Sequence, residues 1–417
     1  MNELTQTSPT EIFLKTSTMA DIKLQAQRAS EMVGAVRAKM LAPSAQKTSP
    51  VFIQKEVAER CGLEPGQFSY RMKNSDLPPL PQGNFDAKSR RREFSLAETR
   101  TWVKEFRRNR LRPAGAEAVV ISIANFKGGV GKSTTAMTLA QGLTLLGHRV
   151  LIIDADPQGS LSTLTGLVPD LDVQEEDTFM LLALGEEDSI RYAIRPTYWD
   201  GLDIVAAAPL LFGIEFNLPA RQVKEMANGF EFWNVLNLGI DDVREDYDVI
   251  IIDTAPALSY GTVNALMASN GIIMPLPPNA LDFASGAQFW TLFTDLTENL
   301  IGAGGSTKTF DFINVLLSRV DSDDASTMVR KWIIQTYGDK VLPAEIPRTV
   351  VTSAASAEFN TVYDISRYDW NARTYKRARE AYDNLVAYME GVVRAVWLKN
   401  LSHVSESPVR PVMMEGV

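Results

Sequence analysis

Residues 125–134 read NFKGGVGKST, and their types suit the binding of a polyphosphate. Glycines at 128, 129 and 131 let backbone N–H groups turn toward phosphate oxygens, and a helix N-terminus behind them adds partial positive charge. Lys132 can reach the β- and γ-phosphates, Ser133 can ligate magnesium, and Val130 and Thr134 complete the wall. Two further strand-like runs end in acids. Arg149 to Asp154 leads into DADPQG, which carries Asp156, and Val249 to Asp253 reads VIIID. Asp154 has two open readings, a metal-linked role or a clip that holds the loop after it.

These residues need elements to position them. VVISIA at residues 119–124 is an apolar run of strand length, and an apolar-periodic segment follows the glycines, so the order is strand, loop, helix. In an open parallel sheet, ligands sit beyond the carboxyl ends of the strands, where all three segments would converge. Composition excludes much else. The 417 residues are 45% hydrophobic and 22% charged, ordinary globular usage that predicts two or three folding units. Cys61 is the single cysteine, so there is no intrachain disulfide or cysteine metal site, and a reducing, cytoplasmic setting is expected. Two histidines, His148 and His403, exclude multi-histidine metal sites. No apolar stretch approaches ~20 residues, so no membrane partner is expected.

Charge divides the chain. Residues 1–115 hold 20 Lys and Arg against 12 Asp and Glu, whereas residues 116–417 hold 22 against 39. Lys88 to Arg112 alone has ten basic and three acidic side chains, the density of either a phosphate-contacting surface or a solvated helix face. The segment before it, FIQKEVAERCGLEPGQFSYRMKN, favours the first. Val57 and Ala58 fit a first helix, Gly62 a tight turn, and Leu63 and Phe68 the apolar side of a second helix over residues 65–73. This spacing resembles the helix-turn-helix, although a plain αα-hairpin has the same pattern. It would present Gln67, Ser69, Tyr70, Arg71 and Lys73 to DNA, with Arg91 and Arg92 beside them. Ser95 with Glu98 reads as a capping box, opening a helix that turns Trp102, Val103 and Phe106 inward and its arginines outward.

The glycine loop departs from GxxxxGK[ST], because Phe126 stands where the first glycine belongs and Lys127 follows it. KGGVGKST with its second lysine resembles the deviant Walker A motif of the ParA/MinD family; DADPQG and VIIIDTAP resemble that family's switch I and Walker B segments. The resemblance covers about residues 117–400. Residues 194–205 and the Pro275–Pro278 turn look most like the large plasmid-partition ATPases, including the replicon-encoded RepA type, which carry a DNA-binding domain in front. The resemblance implies ATP and Mg2+ as cofactors and a homodimer that sandwiches nucleotide. Lys127 would reach across to the partner's phosphates, Asp156 orient the attacking water, and Asp253 hold magnesium through its shell. Thr134 would touch the α-phosphate. Asn314 and Pro347 would flank adenine, Asn314 having a strand-end hydrogen bond as its other reading.

The expected fold is therefore α/β, a P-loop NTPase with a mostly parallel central sheet flanked by helices, preceded by an all-α helix-turn-helix domain. Expected limits are a helical arm over 1–45 that packs on its own domain or dimerises, the DNA-binding domain over 46–115, the ATPase over 116–400 and a disordered tail over 401–417. The resemblance further implies a ParB-like partner, operator DNA and nonspecific DNA, the last met by a patch including Arg348, Arg367, Arg373, Lys376, Arg377 and Arg379, and a nucleoid-associated place in the cytoplasm. Three other functions compete: a nucleotide-responsive regulator without a motor role, membrane cycling, and a nitrogenase-like reductase. Intact Asp156 and Asp253 argue against the first, a proline-broken tail against the second and the lack of cluster cysteines against the third.

Overall fold

The computed structural model describes residues 16–40, 47–74, 78–86, 91–301, 308–349, 359–365 and 372–406. Lys88, Arg90, Arg367 and residues 407–417 lie outside them, as do the side chains of Val33, Val36, Met40 and His403. The chain divides into two units, residues 1–47 and 48–417. Among its described residues the first holds one helix, α1 (Met19–Met40), on which Met19, Ile22, Leu24 and Met32 are exposed.

The second unit begins with two helices, α2 (Gln54–Cys61) and α3 (Pro65–Lys73), joined through Gly62. Gly62 is left-handed, φ +67°, with open space around its Cα. Its conformation, rather than crowding, is what demands glycine there. α4 (Leu96–Phe106) opens on the expected box, Ser95 accepting from the Glu98 N–H while the Glu98 carboxylate accepts from the Ser95 N–H at 2.8 Å. The segment is not all-α, however. β1 (Phe52–Ile53), β2 (Asn84–Asp86) and β3 (Arg91–Phe94) form an antiparallel sheet in the order β1-β3-β2. Strands this short carry no readable alternation; pairing makes them strands, β2 with its near neighbour β3 and β1 with β3 across some forty residues.

Eight strands form the main sheet: β4 (Val119–Ile123), β5 (Val150–Ala155), β6 (Arg195–Pro196), β7 (Leu202–Val205), β8 (Val249–Thr254), β9 (Gly271–Leu276), β10 (Phe312–Val320) and β11 (Val341–Pro347). Their order is β11-β10-β9-β4-β8-β5-β7-β6, and every pair is parallel except β6 with β7. Strands covered on both faces read as continuous apolar runs, because alternate side chains enter different cores. Ile121, Ile123, Ile152, Val249 and Ile251 face one core, with α5 (Lys132–Leu145) and the terminal helix Ala372–Glu406. Val120, Leu151, Ile153, Ile250 and Ile252 face the other.

Phe68, Phe94, Trp102 and Val103 belong to the same core cluster as α5 and the terminal helix, so the front helices pack directly onto the sheet's cover. The terminal helix buries Ala378, Tyr382, Leu385, Met389 and Val396, and it runs to Glu406, past residue 401, the expected start of a disordered tail. The chain leaves β4 toward β5 on one side and later crosses to β9 on the other. That reversal opens a crevice beyond the carboxyl end of β4.

Candidate functional site

The loop after β4 occupies that crevice. Asn125 anchors its start, donating to the Pro275 carbonyl at 2.9 Å and accepting from the Lys127 N–H at 3.0 Å. Gly129 and Gly131 have φ of +75° and +96°, which a side chain would strain. Lys132 opens α5, is 6% exposed, and donates its Nζ to the Lys127 carbonyl at 3.1 Å, closing the loop on itself. Burial depresses the Lys132 pKa, opposed by the charges of Asp253 and Asp156. Ser133 and Thr134 follow in the first turn, half-buried.

Three carboxylates stand at neighbouring strand ends with different surroundings. Asp154 and Asp253 pair in register on β5 and β8 and are both fully buried. Asp154 accepts from the Ser162 N–H and hydroxyl, each at 2.8 Å, and from the Asp156 N–H at 3.2 Å. These bonds are the ones a clip on the following loop would make. Burial lifts its pKa to about 7 against those bonds, with Asp156 adding to the rise. Asp156 accepts from the Gln158 N–H at 3.0 Å, and burial raises its pKa against that bond and Lys132. Asp253 has no hydrogen-bond partner on either oxygen. Burial and the Asp154 charge raise its pKa well above the carboxylate range, with Ser133 and Lys132 pulling the other way.

An orphaned, buried carboxylate beside Ser133 fits a cation. Ser133 through its hydroxyl and Asp253 through water would hold magnesium, an ion that keeps much of its own water and needs few protein ligands. No cluster of three or more His, Cys, Asp or Glu among the described residues could hold a metal unaided.

Lys127 pairs with an acid outside the loop. Its Nζ lies 2.5 Å from Asp282 Oδ1, and Asp282, 5% exposed, also takes the Asn279 amide. A cavity of about 290 Å³ lies beside it, lined by Lys127, Gly129, Asn279, Asp282, Arg319 and Arg348 among others. Asp282, Arg319 and Ser318 were invisible in the sequence as site residues, since each meets the loop from more than 140 positions away with no motif of its own.

The two expected adenine contacts are not brought together. Pro347 ends β11 at the level of Val320. Asn314 lies four residues before Ser318, about 13 Å of strand, and donates its amide to the Lys340 carbonyl at 3.4 Å. It sits below the loop rather than beside it.

The basic residues expected to face DNA also divide. Gln67, Tyr70, Lys73, Arg91 and Arg377 are exposed. Ser69 is half-buried and accepts from Gln54 at 3.3 Å; Arg92 donates to the Gln82 carbonyl. Arg71 turns inward to the Pro78 carbonyl at 2.7 Å, a correction to its outward assignment. Arg100 is likewise buried, donating to the Thr144 and His148 carbonyls and pairing with Asp200. Arg107 pairs with Glu390 at 2.6 Å and Arg112 with Asp248 at 3.1 Å, whereas Arg108 and Arg110 stay exposed. Arg348 pairs with Asp321 at 3.3 Å, Lys376 with Glu380 at 3.6 Å, and Arg379 lies over the Tyr363 ring at 4.2 Å. Long-range acids and carbonyls capture Arg100, Arg107 and Arg112, which no local spacing records, whereas Lys376 with Glu380 is a one-turn helix pair.

The chain is similar to known proteins. Residues 118–301 match the family model described as an AAA domain. A putative replication protein A of Sinorhizobium fredii (strain NBRC 101917 / NGR234) is 31% identical over 366 residues, 85% of this chain and 89% of that protein. The chromosome partitioning protein ParA of Caulobacter vibrioides (strain NA1000 / CB15N) is 34% identical over 242 residues, 57% of this chain and 83% of that one. A solved structure named as a partition protein superposes with a TM-score of 0.62 at 20% identity, covering 88% of this chain and 98% of that one, and bears on the fold alone.

Proposed function

The chain belongs to the ParA/MinD family of partition ATPases, and from that premise we propose that it hydrolyses ATP to ADP and phosphate and cycles on and off DNA as a nucleotide-sandwich dimer, segregating plasmid or replicon copies. The observation that carries the reading is the cradle itself: Lys132 buried beneath a glycine loop, opposite an Asp253 whose oxygens have no partner. In-line attack on the γ-phosphate asks the protein for positioning and electrostatics rather than covalent chemistry. Backbone N–H groups of residues 128–134 and Lys132 hold the phosphates. Asp156 aligns the attacking water. Ser133 and Asp253 would hold magnesium, which would supply positive charge against the phosphates.

In the proposed dimer, Lys127 leaves Asp282 and reaches the partner's phosphates. A lysine already neutralised by a carboxylate is exchanged between two anions, so the swap conserves its pairing. The basic front segment binds operator DNA and represses its own operon, with Gln67, Ser69, Lys73, Arg91 and Arg92 on that surface and Arg71 bracing the helix. Arg377 and Arg348 contribute to salt-sensitive nonspecific DNA contact, and a ParB-like protein stimulates hydrolysis. No helix among the described residues is long and apolar enough to cross a membrane, and the cycle is assigned to the nucleoid in the cytoplasm.

Two measurements test this. Binding to a random-sequence duplex is compared without nucleotide, with ADP, and with ATP plus magnesium, at two salt concentrations. Tight, salt-sensitive binding with ATP alone is expected; binding indifferent to nucleotide would instead favour a regulator without a motor role. Lys127→Ala should keep nucleotide binding while losing hydrolysis and the ATP-dependent dimer in sedimentation. Full ATPase in that variant would sink the sandwich assignment.

A further inference from the structure

β10 loses its regular register with β11 where it passes the phosphate loop. Two steps from Val315 to Leu317 match four on β11, and three from Leu317 to Val320 match two, ending opposite Pro347. The second slip sets one extra residue on β10, the geometry of a β-bulge. Bulges beside functional sites commonly re-aim a side chain. Arg319 occupies this one with φ +51°, left-handed, one of two non-glycine residues with positive φ among the described residues. Glycine is the residue such a position favours. An exposed arginine kept there must be there for what its side chain does.

That side chain donates to the Gly129 carbonyl, and the preceding Ser318 hydroxyl donates to the Val130 carbonyl at 3.0 Å. Two consecutive residues of β10 thus grip two consecutive peptide groups of the loop from outside. A trans peptide is planar, with its C=O and N–H pointing opposite ways. Holding the Gly129 carbonyl outward turns the Val130 N–H to the other side, and holding the Val130 carbonyl does the same for the Gly131 N–H. Those are the N–H groups that a polyphosphate in the loop would accept from.

We propose that Ser318 and Arg319 are positioning residues that set the phosphate loop for its ligand before any nucleotide arrives. Glycine-rich loops are otherwise free to rotate these peptides, and ordering them on binding would weaken affinity. The bulge is what lets two successive residues of one strand address the same loop, since successive side chains of a regular strand point to opposite faces. This inference rests on reading the loop as a nucleoside-phosphate site.

The test is titration of the full chain with fluorescent ATP and ADP, each with magnesium, for wild type, Arg319→Gly, Arg319→Lys and Ser318→Ala. Arg319→Gly removes the clamp and relieves the backbone at once, so its melting temperature should equal or exceed that of wild type while both nucleotides bind about tenfold more weakly. Ser318→Ala should lose a few-fold, Arg319→Lys should recover part of the loss, and steady-state kinetics should show the change mainly in KM. Nucleotide affinity within twofold of wild type in Arg319→Gly overturns the proposal. So does a loss matched by a drop in melting temperature in both Arg319→Gly and Arg319→Lys, which would make the contact merely structural. Wild type that binds neither nucleotide would overturn the underlying site reading instead.

Discussion

Two buried clusters of opposite charges lie at the two ends of α5. At its N-terminus Lys132 faces Asp156 and Asp253, and Asp253 has no hydrogen bond on either oxygen. Beyond its C-terminus, Glu390 engages Arg107 through both oxygens at 2.6 and 2.7 Å and His148 Nε2 at 3.1 Å, with Arg110 at 3.6 Å. Asp248 continues this second cluster to His148 and Arg112. Both cost desolvation; the second offsets most of it through ion pairs within the chain, with Arg107 Nε and His148 Nδ1 left without a hydrogen bond. Unspent charge marks a place for a ligand; satisfied charge marks a joint. The second cluster is where the basic front segment meets the ATPase, and it explains why so many arginines there do not face solvent.

Substitutions sharpen this contrast. The largest effect is expected for Lys132→Ala, which should weaken ATP binding by roughly a thousandfold, about 4 kcal/mol, as removal of a buried charged contact does, checked by equilibrium titration. Glu390→Ala should destabilise the fold by about 3 kcal/mol, because three cations lose their shared partner, read by denaturant unfolding. Asp253→Asn should do the reverse, stabilising the nucleotide-free protein by about 1 kcal/mol while abolishing magnesium-dependent ATP binding. Equal destabilisation by these two substitutions would erase the distinction between site and joint.

The smallest effect is a pH dependence. Burial disfavours the charged His148 ring, but Asp248 and Glu390 outweigh it and raise its pKa above 6.5. Burial is likewise outweighed at Glu390, which His148 and Arg107 hold at about 2. Stabilisation by His148 is thus complete below pH 6.5 and lost as pH rises through the raised value; that by Glu390 is complete above pH 4.5 and lost as pH falls toward 2. The stability gap between wild type and His148→Gln, about 1 kcal/mol, should therefore be widest between pH 4.5 and 6.5 and close on the alkaline side. Unfolding curves across that range would show it, and a gap that widens with alkalinity would contradict the assignment.

Much of this was legible beforehand, for a definable reason. The glycine loop, the strand ends bearing Asp154 and Asp253, the Ser95 cap and the helix over residues 65–73 are each set by contiguous backbone. A φ that only glycine takes freely, a cap bond three residues long or a run of apolar residues leaves its mark in adjacent letters. The phosphate site was readable because nearly all its donors belong to one loop and one helix turn.

What only the tertiary structure decided is where the long cations turn and what reaches the loop from elsewhere. Arg71, Arg100 and Arg107 look from spacing like solvent-facing charges, yet each has an acceptor that the fold delivers, from seven positions away for Arg71 to 283 for Arg107. Asp282 meets Lys127, and Ser318 and Arg319 meet the loop, across the sheet. Asn314 lies too low on its strand because register, not residue type, sets depth. A flexible cation has no preferred direction until a partner is placed beside it. Sequence states which charges exist, and packing states which of them remain unspent.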